Sequence, residues 1–324
     1  MSGQHLKKLI RAHRDGDELA FRRTVQEIIQ EEEDKRHLTL ARELSQLLAS
    51  GASAPIGDWV PAPLPPRTSD GDAELMHLSS PKRLLSSLTL AAEVAAKLEE
   101  LIREVSAWPV LDLHGIPRRQ SILLHGPPGC GKSSVAAALA GQLGCRLGTV
   151  RVDAVVSSYL GETASNLRRV FDFATANSIV LLLDEFDALG RERNDPNDHG
   201  ELRRVVNAVL QLLESYSGPS LIVATSNHSR DLDSAVWRRF ELVVELPPPS
   251  TEQLVEVLRR TLGSAVSPAL DLRSAATSLS GYPHAAAEAA AWEARRSSVM
   301  AGRKRVNRAD LEVALSSVRT RRWS

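Results

Sequence analysis

Gly126-Pro127-Pro128-Gly129-Cys130-Gly131-Lys132-Ser133 follows a short apolar run, Ile122-Leu123-Leu124, and opens a helix-like segment from Val135 to Leu143. The spacing is G-x-x-x-x-G-K-S. Such glycines let backbone N–H groups converge on an anion, and the helix that follows presents its positive N-terminal end. In that setting Lys132 reaches the β- and γ-phosphates of a nucleotide and the Ser133 hydroxyl ligates magnesium. A chance glycine-rich turn would match the letters, but its placement between a strand and a helix argues for a phosphate site.

Outward from this loop, apolar runs alternate with helical patterns between about Leu84 and Leu246. The candidate strands are Ser121–His125, Thr149–Val152, Ile179–Asp184, Leu221–Thr225 and Leu242–Glu245. Each is short, continuous and apolar, as parallel strands buried on both faces should be. Between them runs a helical stripe of Leu167, Val170, Phe171 and Ala174. The alternation predicts an α/β three-layer domain. After Pro247-Pro248-Pro249 the pattern becomes helical throughout. Ser250 is placed to cap Glu252–Leu262, an alanine-rich helix covers Ala285–Arg296, and Asn307 with Asp310 begins the last helix.

Strand ends carry the chemistry, because ligands of open parallel sheets bind outside the carboxyl ends of the strands. Ile179-Val180-Leu181-Leu182-Leu183 runs into Asp184-Glu185. Asp184 is expected to hold the magnesium shell and Glu185 to polarise water as a general base. Leu221-Ile222-Val223-Ala224-Thr225-Ser226-Asn227 ends in an amide that could bond the attacking water or the γ-phosphate, or merely cap a turn. Arg238 and Arg239 are adjacent and so point in different directions. They stand far from the phosphate loop in sequence, where one could reach a neighbouring subunit's γ-phosphate in trans.

Together G-P-P-G-C-G-K-S, L-L-L-D-E-F-D, A-T-S-N and L-D-S-A-V-W-R-R-F resemble the AAA+ ATPases, and within them the AAA subgroup, from about Leu84 to the C-terminus. The resemblance implies a P-loop sheet ordered 5-1-4-3-2, a helical lid and a ring, usually a hexamer, with ATP and Mg2+ at each interface. Gly126, Pro127, Pro128, Gly129, Cys130, Gly131, Lys132, Ser133, Ser134 and Asp184 are the expected nucleotide-binding set, with Ser133 and Asp184 at the metal. Glu185, Asn227, Arg238 and Arg239 are the expected catalytic set. The W-R-R-F form looks more like the microtubule-severing and related single-ring members than the R-P-G-R-F form. Two departures stand out. Pro283-His284 replaces the usual S-G in the glycine–aromatic segment of the lid, and Leu88-Thr89-Leu90 replaces a more recognisable adenine-side strand.

Ser157-Ser158-Tyr159-Leu160-Gly161-Glu162-Thr163 resembles the pore loop with which AAA translocases grip polypeptide. An aromatic and an aliphatic residue, here Tyr159 and Leu160, contact any side chain, and Gly161 permits a sharp turn. Tyr159 packed under a helix is the plainer alternative. The expected function is Mg-dependent ATP hydrolysis that drives threading, unfolding or complex disassembly by a homo-oligomeric ring acting on protein. The competing class is a nucleic-acid loader or initiator, whose only basic candidates are Arg303-Lys304-Arg305, Arg308 and the tail Arg319, Arg321 and Arg322. A scaffold that binds ATP without turnover fits poorly with Glu185, Arg238 and Arg239. No H-E-x-x-H appears, so proteolysis by a zinc site of that type would come from a separate protease. A short helical N-terminus before a single AAA module is similar to bacterial AAA ATPases found with a subtilisin-like protease.

The expected domains are a helical recruiting module at 1–50, a proline-rich linker at 51–81, the large ATPase domain at 82–247 and the lid at 248–324. Residues 1–50 carry stripes of Leu6, Leu9, Ile10 and His13, of Phe21, Val25, Ile28 and Ile29, and of Leu40, Leu44, Leu47 and Leu48. Lys+Arg and Asp+Glu are equal at 40 each, so no global field draws the 324-residue chain to nucleic acid or membranes. The only two cysteines, Cys130 and Cys145, make no disulfide framework. No apolar stretch is long enough to span a bilayer, and the polar N-terminus lacks a signal-peptide core. The expected compartment is the cytoplasm.

Overall fold

The computed structural model describes residues 63–156, 160–186, 199–227, 234–268 and 270–323, with a few positions before residue 36. The chain divides into two compact units, Met1–Ala62 and Pro63–Ser324. In the first, ion pairs join described helical residues. His5 Nδ1 lies 3.0 Å from Glu31 Oε2, and Lys8 Nζ lies 3.0 Å from Glu27 Oε2. Ile28 is buried there beside Thr24. Most of the expected N-terminal stripe positions lie outside the described residues.

The second unit is built on a six-stranded sheet. Its strands are β1 (Met76–Ser79), β2 (Ser121–His125), β3 (Arg146–Val150), β4 (Ile179–Leu183), β5 (Leu221–Ser226) and β6 (Leu242–Glu245). They lie in the order β1-β3-β4-β5-β2-β6. All pairings are parallel except β1 with β3, where Met76 faces Val150. Counted from β2, the five parallel strands read 2-3-4-1-5 across the sheet, which is 5-1-4-3-2 from the other edge.

Period-2 alternation sends successive side chains of each strand to opposite faces. Leu123, Leu181, Leu183 and Ile222 pack on one face with Leu167, Val170 and Phe171 of α5 (Leu160–Ala176) and Val209 of α6 (His199–Ser215). Ile122, Leu124, Val180 and Val223 pack on the other with Val94, Leu98 and Leu101 of α1 (Ala92–Ser106) and Val135 and Leu139 of α3 (Lys132–Leu143). Helix α2 (Trp108–Leu113) follows α1, and the short α4 (Val152–Val155) and α7 (Ser234–Trp237) follow β3 and precede β6. Each buried Leu, Ile or Val stabilises the sheet by about 1.5–3 kcal/mol relative to exposure. Burial on both faces explains why the strands read as unbroken apolar runs.

After β6 the chain folds into α8 (Thr251–Leu262), α9 (Leu272–Ser278), α10 (His284–Met300) and α11 (Arg308–Arg319) around a separate core. Leu254, Leu258, Ala287, Ala291 and Leu311 lie in it. Alanines on α10 let its neighbours approach closely. Two capping boxes start α8 and α11: Ser250 with Gln253, and Asn307 with Asp310. Both begin where the sequence predicts.

Two local expectations shift. The second parallel strand runs Arg146–Val150, earlier than Thr149–Val152, and Val152 starts α4. Residues 63–81, expected to belong to the proline-rich spacer, include β1, with Leu75 and Met76 fully buried. Six prolines between 55 and 81 suggest a spacer, yet Glu74–Ser79 contains none and can donate to a ladder.

Candidate nucleotide site

The phosphate loop leaves the carboxyl end of β2 and enters α3. Gly126 has φ 142°, and a Cβ there would lie 2.1 Å from the Leu246 carbonyl oxygen, so only glycine fits. Lys132 is buried and its Nζ donates to the carbonyls of Gly126 at 2.8 Å and Pro127 at 2.9 Å. Those bonds hold the ammonium inside the loop, at the mouth of the helix where phosphate charge is stabilised. Cys130 packs into the apolar layer beneath, and burial pushes its thiol pKa up, which makes it a poor nucleophile.

Asp184 and Glu185 follow β4, next to β5 and one strand removed from β2. Ser133 Oγ donates to the Asp184 carboxylate, at 3.0 and 2.9 Å from its two oxygens. Thr225 at the end of β5 joins the two acidic residues. Its hydroxyl donates to Asp184 Oδ1 at 2.5 Å and accepts from the Glu185 N–H at 2.9 Å. Glu185 has φ 53°, the one non-glycine with positive φ among the described residues. Left-handed backbone costs an L-residue about 1–2 kcal/mol and concentrates at functional sites. The Thr225 bond holds that conformation and turns Glu185 out of the strand end.

These groups open into a cleft of about 400 Å³ that also includes Ser134, Asn227 and residues of the lid. The lid touches the loop directly: Ala285 N–H donates to the Gly129 carbonyl at 3.1 Å. A Cβ on Gly129 would come within 3.1 Å of Pro283 Cβ and Ala285 Cβ. Leu88, Thr89, Leu90, Val257, Thr261 and His284 also line the cleft.

Arg238 and Arg239 do not line this cleft. Arg239 forms an ion pair with Glu214 of α6, and its carbonyl lies 3.4 Å from Ser121 Oγ, at the amino end of β2. The phosphate loop leaves the other end of that strand, about 16 Å away at 3.3 Å per residue. Tyr159 lies outside the described residues, and Leu160 is the first residue of α5.

Sequence reasoning missed Thr225 and Arg83. Arg83 lines the cleft and donates to Ser134 Oγ at 3.0 Å. Thr225 reads as one more β-branched strand residue, although a hydroxyl at a strand end beside an acidic pair is a usable signal. Arg83 lies 51 positions from its partner and carries no local pattern.

Residues 122–248 match the model of the ATPase family associated with various cellular activities (AAA). An uncharacterized AAA family ATPase of Sinorhizobium fredii is 35% identical over 327 residues, spanning 99% of this chain and 96% of that protein. A proteasome-activating nucleotidase of Pyrococcus horikoshii is 31% identical over 245 residues, 73% of this chain and 59% of its own. A 26S proteasome regulatory subunit 8 homolog of Schizosaccharomyces pombe is 30% identical over 231 residues, 67% and 57%. The chain thus spans under three fifths of the two proteasomal relatives' length. Similarity along almost the whole chain, joined to a phosphate loop facing an acidic strand end, makes this an ATP-hydrolysing enzyme, and the chain belongs to the AAA family of ATPases.

Proposed function

We propose that this ATPase works as a ring, a hexamer by family precedent, whose Mg-dependent ATP hydrolysis threads, unfolds or disassembles protein. Where threading ends in degradation, a separate protease receives the chain. The observation that carries the reading is the similarity of about two thirds or more of the chain to a proteasome-activating nucleotidase and a proteasome regulatory subunit, joined to Tyr159-Leu160-Gly161, whose last two residues open α5.

The residues divide the work as follows. Lys132 and the loop amides bind the β- and γ-phosphates, and Ser134 with Asn227 lines the same cleft. Glu185 takes the proton of the attacking water, and Asn227 orients that water. Ser133 and Asp184 offer converging hard oxygen donors that suit Mg2+, which keeps waters and phosphate oxygens as its other ligands. When bound, the ion neutralises charge on the phosphates. Arg238 and Arg239 lie too far from their own phosphate loop, so they serve a neighbour's site. Arg239 is held by Glu214, which leaves Arg238 as the arm that extends.

A nucleic-acid motor is disfavoured by the lid's basic residues. Arg303 is bound to Asp310 through two hydrogen bonds at 2.6 and 2.7 Å, Arg308 pairs with Glu312, and Arg321 pairs with Glu293. The test compares ATPase stimulation by unfolded polypeptide and by DNA in wild type and Tyr159→Ala. Polypeptide should stimulate the wild type. Tyr159→Ala should keep basal hydrolysis, lose stimulation and fail to unfold substrate. Stimulation by DNA alone, unchanged in Tyr159→Ala, would overturn the reading.

A further inference from the structure

Two aromatic contacts close the arginine segment at both ends. Trp237 comes immediately before Arg238, and its ring meets the His125 ring edge-on, with centroids 5.0 Å apart and planes at 81°. Phe240 comes immediately after Arg239 and meets Phe186 edge-on at 6.2 Å and 86°. Such geometry sets the positive edge of one ring against the negative face of the other, so it fixes orientation as well as burying area. Only Arg238 and Arg239 lie between the two anchors. Arg239 is held to Glu214, and Arg238 is exposed.

The anchor at Trp237 has a rigid base. His125 is the last residue of β2, and Gly126 opens the phosphate loop. The His125 carbonyl accepts from Leu246 N–H at 2.7 Å, and Gly126 N–H donates to the Ser226 carbonyl at 3.2 Å, so chain on both sides of β2 holds that backbone. By strand alternation the His125 side chain shares the face of Leu123, where Trp237 also packs. Burial pushes the imidazole below the ordinary histidine range, opposed by Glu245 and reinforced by Lys132. The ring is then neutral at pH 7 and serves as an aromatic partner. Neither His125 nor Trp237 lines the nucleotide cleft.

A long side chain that must reach across an interface acts well only when its backbone is already placed, and groups that hold it do so through packing. We propose, on the trans role given to Arg238 above, that Trp237 is the positioning residue for that arm and that His125 is the fixed ring against which it sets. The contact ties the arginine offered to a neighbour to the strand end from which this chain's own phosphate loop departs.

The experiment measures ATPase rates of the full chain at saturating ATP, for each variant alone and in equimolar mixtures. Trp237→Ala should bind ATP in calorimetry like wild type and turn over about tenfold more slowly, the weight of one aromatic edge pair. In a mixture with Lys132→Ala subunits, whose arms are intact, about half of the Trp237→Ala subunits face such an arm. The rate per Trp237→Ala subunit should then rise about fivefold. Damage to its own phosphate loop or fold would not respond to the added subunits. Trp237→Phe keeps an aromatic ring and should retain most of the wild-type rate. Trp237→Leu, which keeps apolar bulk, takes the place of Trp237→Ala if that variant fails to fold. The proposal is overturned by a folded ring-less variant that turns over like wild type or loses ATP binding. It is also overturned if that variant gains nothing from Lys132→Ala subunits while Arg238→Ala does. If Arg238→Ala gains nothing either in mixed rings, the trans reading itself falls, and the positioning role falls with it.

Discussion

Asp184 and Glu185 are adjacent carboxylates with separate proposed roles, and a single hydroxyl, that of Thr225, bonds to both residues. Thr225 ties Asp184 toward Ser133 and holds the Glu185 backbone in its left-handed turn. Glu185→Gln keeps the shape and removes the base. ATP binding should survive, while kcat falls on the order of 10²- to 10⁴-fold in a steady-state ATPase assay. Lys132→Ala should instead abolish binding in calorimetry. A second residue-scale prediction concerns the lid. The Arg303 guanidinium beside Asp310 holds its carboxyl down at about 2, from an ordinary value of 3.8. A depressed carboxylate stabilises the fold above its unfolded pKa, and the contribution fades as pH falls from about 4 toward 2. Asp310→Asn should therefore lower the lid's melting temperature by several degrees at pH 7. The difference from wild type should shrink in melts below pH 3.

At the scale of elements, the lid and the phosphate loop meet through a backbone bond, with Pro283 and Ala285 close to Gly129. The Gly129 carbonyl accepts from Ala285 N–H, and Gly129 has φ 73°. Gly129→Ala adds a methyl against Pro283 and Ala285 and imposes a left-handed alanine, a penalty of about 1–2 kcal/mol. The protein should still fold on its large separate cores, with ATP affinity reduced about tenfold. Unchanged affinity by fluorescence titration would mean that the loop and α10 do not act together. Contact between helix start and loop makes the lid a wall of the site.

At the scale of the whole molecule, Arg238 and Arg239 do not line this chain's own cleft, and the proposed ring would offer them a neighbour's. Mixing Arg238→Ala subunits with Lys132→Ala subunits should restore activity that neither has alone. In a randomly mixed symmetric ring about a quarter of interfaces would pair an intact phosphate loop with an intact arginine. An ATPase rate of zero in the mixture, with light scattering showing mixed rings, would remove the trans assignment. Residues 1–50 are expected to recruit substrate or partner. A chain that lacks them should keep basal ATPase and lose polypeptide-stimulated turnover. Loss of basal ATPase in a folded truncation would make that region part of the motor.

Much of this molecule is legible in the order of its residues because the signals are short-range. Gly126 to Ser133 lies between a buried strand and a helix, the apolar run 179–183 ends in its two carboxylates, and Ser250 and Asn307 cap their helices within three residues. Such patterns follow from backbone hydrogen bonding and side-chain period, which act over a few positions. Only tertiary structure could decide the rest. Arg83 reaches Ser134 across 51 positions, and Thr225 reaches Asp184 across 41. Residues 76–79 form an edge strand because β3 offers a free ladder, despite the prolines around them. Thr89 and His284 line one cleft because two separate cores pack side by side. Approaches of this kind depend on how whole layers settle against one another, and close packing leaves no trace of them among neighbouring residues along the chain.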